Sequence, residues 1–164
     1  MDAQSRKTYN TRIVKVSTKG RYGLRTLIDI AMHNGVGAAT LNELARRQDI
    51  SVKYLWQVIN PLKAAGILGV ARGARGGYFL IRRPEDITML EIVTALEGEL
   101  QVSDCLDKKK PCPKSGTCVA RAVWQEVNNA VKDTLQNITL AELIRRCAVS
   151  APPTITLFES AGRR

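Results

Sequence analysis

Apolar residues at Leu24, Leu27, Ile28, Ala31 and Met32 recur at steps of three and four, which predicts a helix with these side chains on its inner face. Ser17 or Thr18 is available as its N-cap, and Asn34-Gly35 and Gly37 stop it. Thr40 and Glu43 have the spacing of a capping box, in which each side chain satisfies the other's backbone N–H, and they open a short helix with Leu44 and Ala45 inward. After the turn Gln48-Asp49-Ile50, Ser51 caps a second helix whose inner face is Val52, Leu55, Ile59 and Leu62. Pro61 lacks an N–H and crowds the preceding turn, so a kink or break is expected there. Ile67–Ala71 and Tyr78–Ile81 are short strand-like runs around a tip, residues 72–77, that holds three glycines and two arginines. Thr88 with Glu91 and Thr139 with Glu142 repeat the capping-box spacing, the first opening a helix to about Leu96. Between them Val119, Val123, Val127, Ala130, Val131 and Leu135 stay in register along a longer helix, from about Val119 to Gln136.

Helix, short turn, helix and basic hairpin, in that order, is the sequence shape of a winged helix-turn-helix. The expected fold is therefore mainly α with a small β-hairpin wing (α+β). Its parts are a loose arm over 1–13, a winged helix-turn-helix over 14–83, a connecting helix over 84–102 and a cysteine-bearing loop over 103–118. The long helix and a closing helix over 119–148 and a loose tail over 149–164 complete it.

Charge sharpens this picture. Residues 1–83 carry 15 Lys/Arg against 4 Asp/Glu, whereas residues 84–164 carry 10 against 11, so all of the net +10 lies in the first half. A basic module joined to a near-neutral one points to a polyanion partner for the first module only. With only eight aromatic residues there is no stacking platform for single strands, and double-stranded DNA is the better fit. No apolar run approaches the roughly 18 residues of a membrane span, and the polar start has no export signal, so the expectation is a cytoplasmic protein without a membrane partner. One histidine, His33, and the lack of a nucleophile–base set, phosphate loop or carboxylate pair argue against an enzyme.

In a helix-turn-helix the N-terminal residues of the second helix face the major groove. Here these are Ser51, Lys53, Tyr54 and Gln57. Gln can pair with an adenine edge, Lys with guanine or phosphate, and Tyr with phosphate or a thymine methyl. Arg72 and Arg75 suit a narrow minor groove, and Gly73 lets the wing tip approach the backbone. Lys19, Arg21, Arg25, Arg46 and Arg47 are phosphate-contact candidates.

Three of the four cysteines, Cys105, Cys112 and Cys118, fall in a C-x6-C-x5-C pattern. The spacing lacks the close pairs of zinc knuckles and the C-x-x-C of thioredoxin-like redox sites. Thiolates on a Pro-, Gly- and Lys-rich loop suit an iron–sulfur cluster, with Lys108–Lys110 and Lys114 offsetting its charge. Free or switching thiols are the competing reading.

VSTKGRYGLRTLIDIA, ISVKYLWQVINPLKAAGIL, ARGARGGYFL, the three cysteines and NITLAELI together resemble the IscR-type family of bacterial iron–sulfur cluster regulators, over about residues 14–147. The resemblance implies a homodimer formed by the long helix, each wing on one half-site of a pseudo-palindromic operator. It implies Cys105, Cys112 and Cys118 as ligands of a cluster, 2Fe–2S before 4Fe–4S, and repression of iron–sulfur assembly or stress genes as the output. Lys53, Tyr54, Gln57 and Arg72 match the family's DNA-reading positions. Where IscR-like members carry a histidine three residues after the third cysteine, this chain has Arg121. The fourth ligand is left open between Cys147, Asp104, Asp107, a partner side chain and a small exogenous molecule. A cluster-free, thiol- or partner-responsive regulator and an iron–sulfur redox protein are the alternatives.

Overall fold

A computed structural model describes residues 16–33, 37–73, 76–107 and 112–150. The expected arm, the tail beyond residue 150, the Asn34-Gly35 stop, Arg75 and Lys108–Lys110 lie outside the described residues. Among the described residues six helices and one hairpin follow in the order α1 (Thr18–Met32), α2 (Leu41–Gln48), α3 (Val52–Ala64), β1 (Leu68–Ala71), β2 (Gly77–Leu80), α4 (Met89–Glu97), α5 (Val119–Gln136) and α6 (Leu140–Ser150). Two short 3-10 turns, Pro84–Asp86 and Asp104–Leu106, precede α4 and α5. This is the expected mainly α fold with a small β wing.

Caps set the helix starts. Ser17 Oγ accepts from the Gly20 N–H at 3.1 Å and begins α1. At α2 the capping box is complete: Thr40 Oγ1 accepts from Glu43 N at 3.2 Å, and Glu43 Oε2 accepts from Thr40 N at 2.8 Å. Asp49 then turns the chain in the left-handed region (φ 53°), and Ser51 Oγ accepts from Tyr54 N at 3.2 Å to start α3. The other two boxes are half-formed. Thr88 and Thr139 accept from the Glu91 and Glu142 N–H groups, but the Glu91 carboxylate pairs with Arg82, and that of Glu142 with Arg145 and Arg146. An arginine within reach competes for the carboxylate with a bond in which both partners are charged.

α3 runs unbroken through Pro61. An interior proline costs about 3 kcal/mol, whereas fully burying a Leu or Ile contributes about 1.5–3 kcal/mol each. Ile59 and Leu62, one on each side of the proline, are both fully buried, so their packing carries the helix across it. On α1 the buried stripe is Gly20, Gly23, Thr26, Leu27 and Ile30, with Leu24, Ile28 and Ala31 half-covered and Met32 exposed. The expected inner face is thus rotated, because α1 packs through its glycines. A Cβ on Gly23 would lie 2.5 Å from Leu96 Cδ1 of α4.

β1 and β2 pair antiparallel in the register Leu68↔Leu80, Gly69↔Phe79, Val70↔Tyr78 and Ala71↔Gly77. Ala39, just before α2, adds a third rung by exchanging two backbone bonds with Tyr78, at 3.0 and 2.8 Å. The core is built from Leu27, Leu44, Leu55, Ile59, Leu62, Ile67, Leu68, Ile87, Ile92 and Leu96. α6 returns to it: Leu140 N bonds Ile87 O at 2.9 Å, and the Leu140 side chain is fully buried. α5 behaves differently. It buries only Asn128, while Val119, Val123, Trp124 and Val127 are exposed. No helix among the described residues is long and apolar enough to cross a membrane.

Candidate nucleic-acid interface and cysteine segment

The N-terminal turns of α3 hold the expected base-reading group. Ser51, Lys53 and Gln57 are exposed, and Tyr54 is half-buried against the core. The Tyr54 ring meets Tyr22 of α1 edge to face, with centroids 5.9 Å apart, and the Arg25 guanidinium sits 5.4 Å from the Tyr22 ring centre. This aromatic pair sets the first turns of α1, with exposed Arg21 and half-buried Lys19, beside the first turns of α3. Arg72 and Gly73 are exposed on the wing, and Gly73 takes φ 105°, a conformation glycine adopts without strain. Arg75 lies outside the described residues.

Two expectations for this face are corrected. Val52, read as an inner-face residue, is exposed and has Trp56, also exposed, one turn below it. Arg47 is not a free phosphate contact. Its Nε donates to Asp29 Oδ2 at 3.0 Å, and Gln48 Nε2 donates to the same oxygen at 2.8 Å, which ties α2 to α1. Little in the spacing marks them, since Val52 stands only about 20° from Ile59 around the helix and Trp56 one turn further along.

The cysteine segment is fixed to α5 at three points. Val102 N donates to the buried Asn128 Oδ1 at 3.2 Å, Arg121 Nε donates to the Cys105 carbonyl at 3.2 Å, and the Leu106 side chain is buried. Cys105 lies in the turn Asp104–Leu106 with Sγ 3.0 Å from Ser103 Oγ, and Cys118 is the first residue before α5. All four thiols are half-buried and free of disulfides. Three thiols on one segment are the right donor chemistry for an iron–sulfur cluster. Among the described residues, however, no three His, Cys, Asp or Glu side chains gather around one point. Arg121, at the position where a fourth ligand was sought, is a cation engaged with a backbone carbonyl and offers no donor atom to iron.

On its other side the segment connects through α4 to the basic helix-turn-helix module. Glu97, the last residue of α4, accepts from Ser17 N at 3.2 Å and lies 2.5 Å from Ser17 Oγ, at the start of α1. The carboxyls of Glu43, Asp86 and Glu142 are held low by structural partners. The Glu43 carboxyl is held below the ordinary glutamate range by the Thr40 N–H, and those of Asp86 and Glu142 are lowered chiefly by hydrogen bonds from Arg83 and Arg146.

A helix-turn-helix, a wing and a separate cysteine-bearing segment leading into a long helix define a winged-helix transcription regulator. The model of the Rrf2 family, described as iron-dependent transcriptional regulators, matches residues 16–146, and the chain belongs to this family. Protein rrf2 of Nitratidesulfovibrio vulgaris is 39% identical over 132 residues, covering 80% of this chain and 88% of the relative. The structure of CymR, the global cysteine regulator of B. subtilis, is 36% identical and covers 80% of this chain and 97% of its own, with a TM-score of 0.67. The T. potens IscR structure is also 36% identical, covers 84% and 92%, and has a TM-score of 0.68. The family is one of transcriptional regulators rather than enzymes, in agreement with the lack of catalytic groupings in the sequence.

Proposed function

We propose that this chain acts as a homodimeric repressor that binds double-stranded DNA and responds to iron–sulfur cluster status through Cys105, Cys112 and Cys118, with a 2Fe–2S cluster as the group held. The single observation that carries this reading is the placement of the two functional parts. The basic α3–wing face and the cysteine segment belong to different elements, yet the segment is bonded to α5 by Asn128 and Arg121, and α4, which leads into it, to α1 by Glu97. Ser51, Lys53, Tyr54 and Gln57 read the major groove, Arg72, Gly73 and Arg75 the minor groove, and Lys19 and Arg21 hold phosphates. A pseudo-palindromic operator follows from two such faces related by a two-fold axis. The exposed apolar stripe of α5, from Val119 to Val127, is the surface the second copy covers, as the family likeness implies. The site of action is the cytoplasm.

A bound cluster would supply a state of the cysteine segment that depends on cluster supply. The chain's own residues then carry that state outward. Arg121 and Asn128 pass a change at residues 102–105 to the dimer helix, and residues 98–101 pass it to α4 and, through Glu97, to α1. Linkage requires only that the two states of the segment differ in DNA affinity. Anaerobic purification tests the cluster directly. Visible absorbance that Cys112→Ser abolishes supports it, and protein that stays colourless after supply of iron and sulfide overturns it.

A second reading is supported by a specific contact. Cys105 has its carbonyl engaged by Arg121 and its thiol beside Ser103, so a change at this thiol would be felt at α5 through Arg121. On this reading the thiols themselves are the sensing groups, in line with the likeness to a cysteine regulator.

A further inference from the structure

The residues of α3 with the least structural reason to be apolar are Val52 and Trp56. Val52 is 40% and Trp56 is 55% exposed, although Leu55, Val58, Ile59 and Leu62 of the same helix are fully buried. At about 100° per residue, Val52 and Trp56 lie about 40° apart on one flank of the outward arc whose middle is Lys53, Gln57 and Asn60. Large apolar side chains left in water on a helix that otherwise sorts apolar inward point to a surface covered by something else. The surroundings decide what covers it. The patch is continuous with Lys53 and Gln57, and its module carries 15 basic against 4 acidic residues, so a polyanion is the complementary partner. The one apolar group that the major groove offers is the 5-methyl of thymine.

We propose that Val52 and Trp56 form an apolar reader that packs on thymine methyl groups, so that this chain selects thymine at one or two positions of each half-site beside the bases read by Lys53 and Gln57. The inference rests on α3 being the DNA-reading helix. It adds a specificity that Lys53 and Gln57 cannot supply, because an amide or ammonium group gains nothing from a methyl. Trp56 makes the larger contribution, having more area to cover than Val52.

The test uses the full chain and a duplex enriched by the wild-type protein from a random double-stranded pool. Each thymine in turn is replaced by deoxyuridine, which removes the methyl and leaves the hydrogen-bonding edge intact. Burial of one methyl-sized group corresponds to about fourfold in affinity. The expected result is one or two thymines per half-site at which the replacement weakens wild-type binding by about that factor, and at which Trp56→Ala shows no discrimination between thymine and uracil. Trp56→Phe, which keeps an apolar ring, retains it. With Trp124→Phe as background, Trp56 fluorescence changes on addition of the duplex. Equal thymine sensitivity in wild type and Trp56→Ala, or no sensitive thymine in a duplex that is otherwise bound specifically, overturns the assignment while leaving DNA binding intact. A pool that the wild-type chain does not enrich overturns both.

Discussion

Gly77 is where the wing is most exposed to a single added carbon. It is the first residue of β2, and a Cβ there would lie 2.5 Å from both the carbonyl carbon and the oxygen of Ala39, backbone atoms that cannot swing aside. Gly77→Ala therefore leaves two responses. The molecule keeps the Ala39–Tyr78 rung and accepts overpacking, at about 1–3 kcal/mol. Or it opens the rung and gives up two backbone bonds, of 2.8 and 3.0 Å, worth about 0.5–1.5 kcal/mol each. Both routes cost about 1–3 kcal/mol, so neither offers an escape. For a chain of this length that lowers Tm by about 2–12 °C. The second route also frees the wing base, so Gly77→Ala weakens DNA binding beyond what lost stability explains, and adding Arg72→Ala on top costs less than in the wild type. Scanning calorimetry with Gly116→Ala as control is the assay. A Cβ added at Gly116 meets no atom within 4 Å, and this residue is not at positive φ, so its replacement leaves Tm unchanged or slightly raised. A Gly77→Ala protein that melts within a degree of wild type and binds DNA equally would refute the close approach of wing and α2.

Further outcomes follow from the same geometry. Thr40→Ala removes the hydroxyl that accepts from Glu43 N and donates to Glu43 Oε2, lowering stability by about 1 kcal/mol in denaturant titration. Asn128→Ala takes the acceptor from the Val102 N–H and costs about 1–3 kcal/mol, and hydrogen exchange then speeds up at residues 102–107 before it does in the α1–α3 core. Glu43, Asp86 and Glu142 have lowered carboxyl pKa values. Their contribution is complete above the ordinary carboxylate range and is lost as pH falls through their depressed values. A melting series toward acid pH shows Tm falling there, with a shallower fall in Thr40→Ala, and a flat profile contradicts the assigned partners.

Much of this fold was legible from residue types alone. The caps at Ser17, Thr40 and Ser51 and the span of α5 follow from hydroxyls and apolar spacing, which act locally. What was not legible depends on distant partners. The Glu91 carboxylate is drawn from its capping role by Arg82, nine residues away in the chain, and the inner face of α1 was turned by the fit of Gly23 on Leu96. The predicted break at Pro61 was overridden by burial on both sides of it. At the candidate DNA-reading surface, polar and basic residues announced themselves, whereas Val52 and Trp56 did not, because spacing rules assign apolar residues inward. For the cysteines, residue type and order were plain from the chain, but their convergence depends on how residues 102–118 lie against α5, which no local rule sets.

The claim that α3 and the wing read DNA is tested most directly by one measurement: selection from a random double-stranded pool by the full-length protein, run in parallel with Gln57→Ala. The expected result is that the wild-type chain enriches a short inverted repeat, that its binding falls steeply with salt, and that Gln57→Ala loses the sequence preference while keeping the salt dependence. No enriched sequence, or the same repeat enriched equally by both proteins, would contradict it.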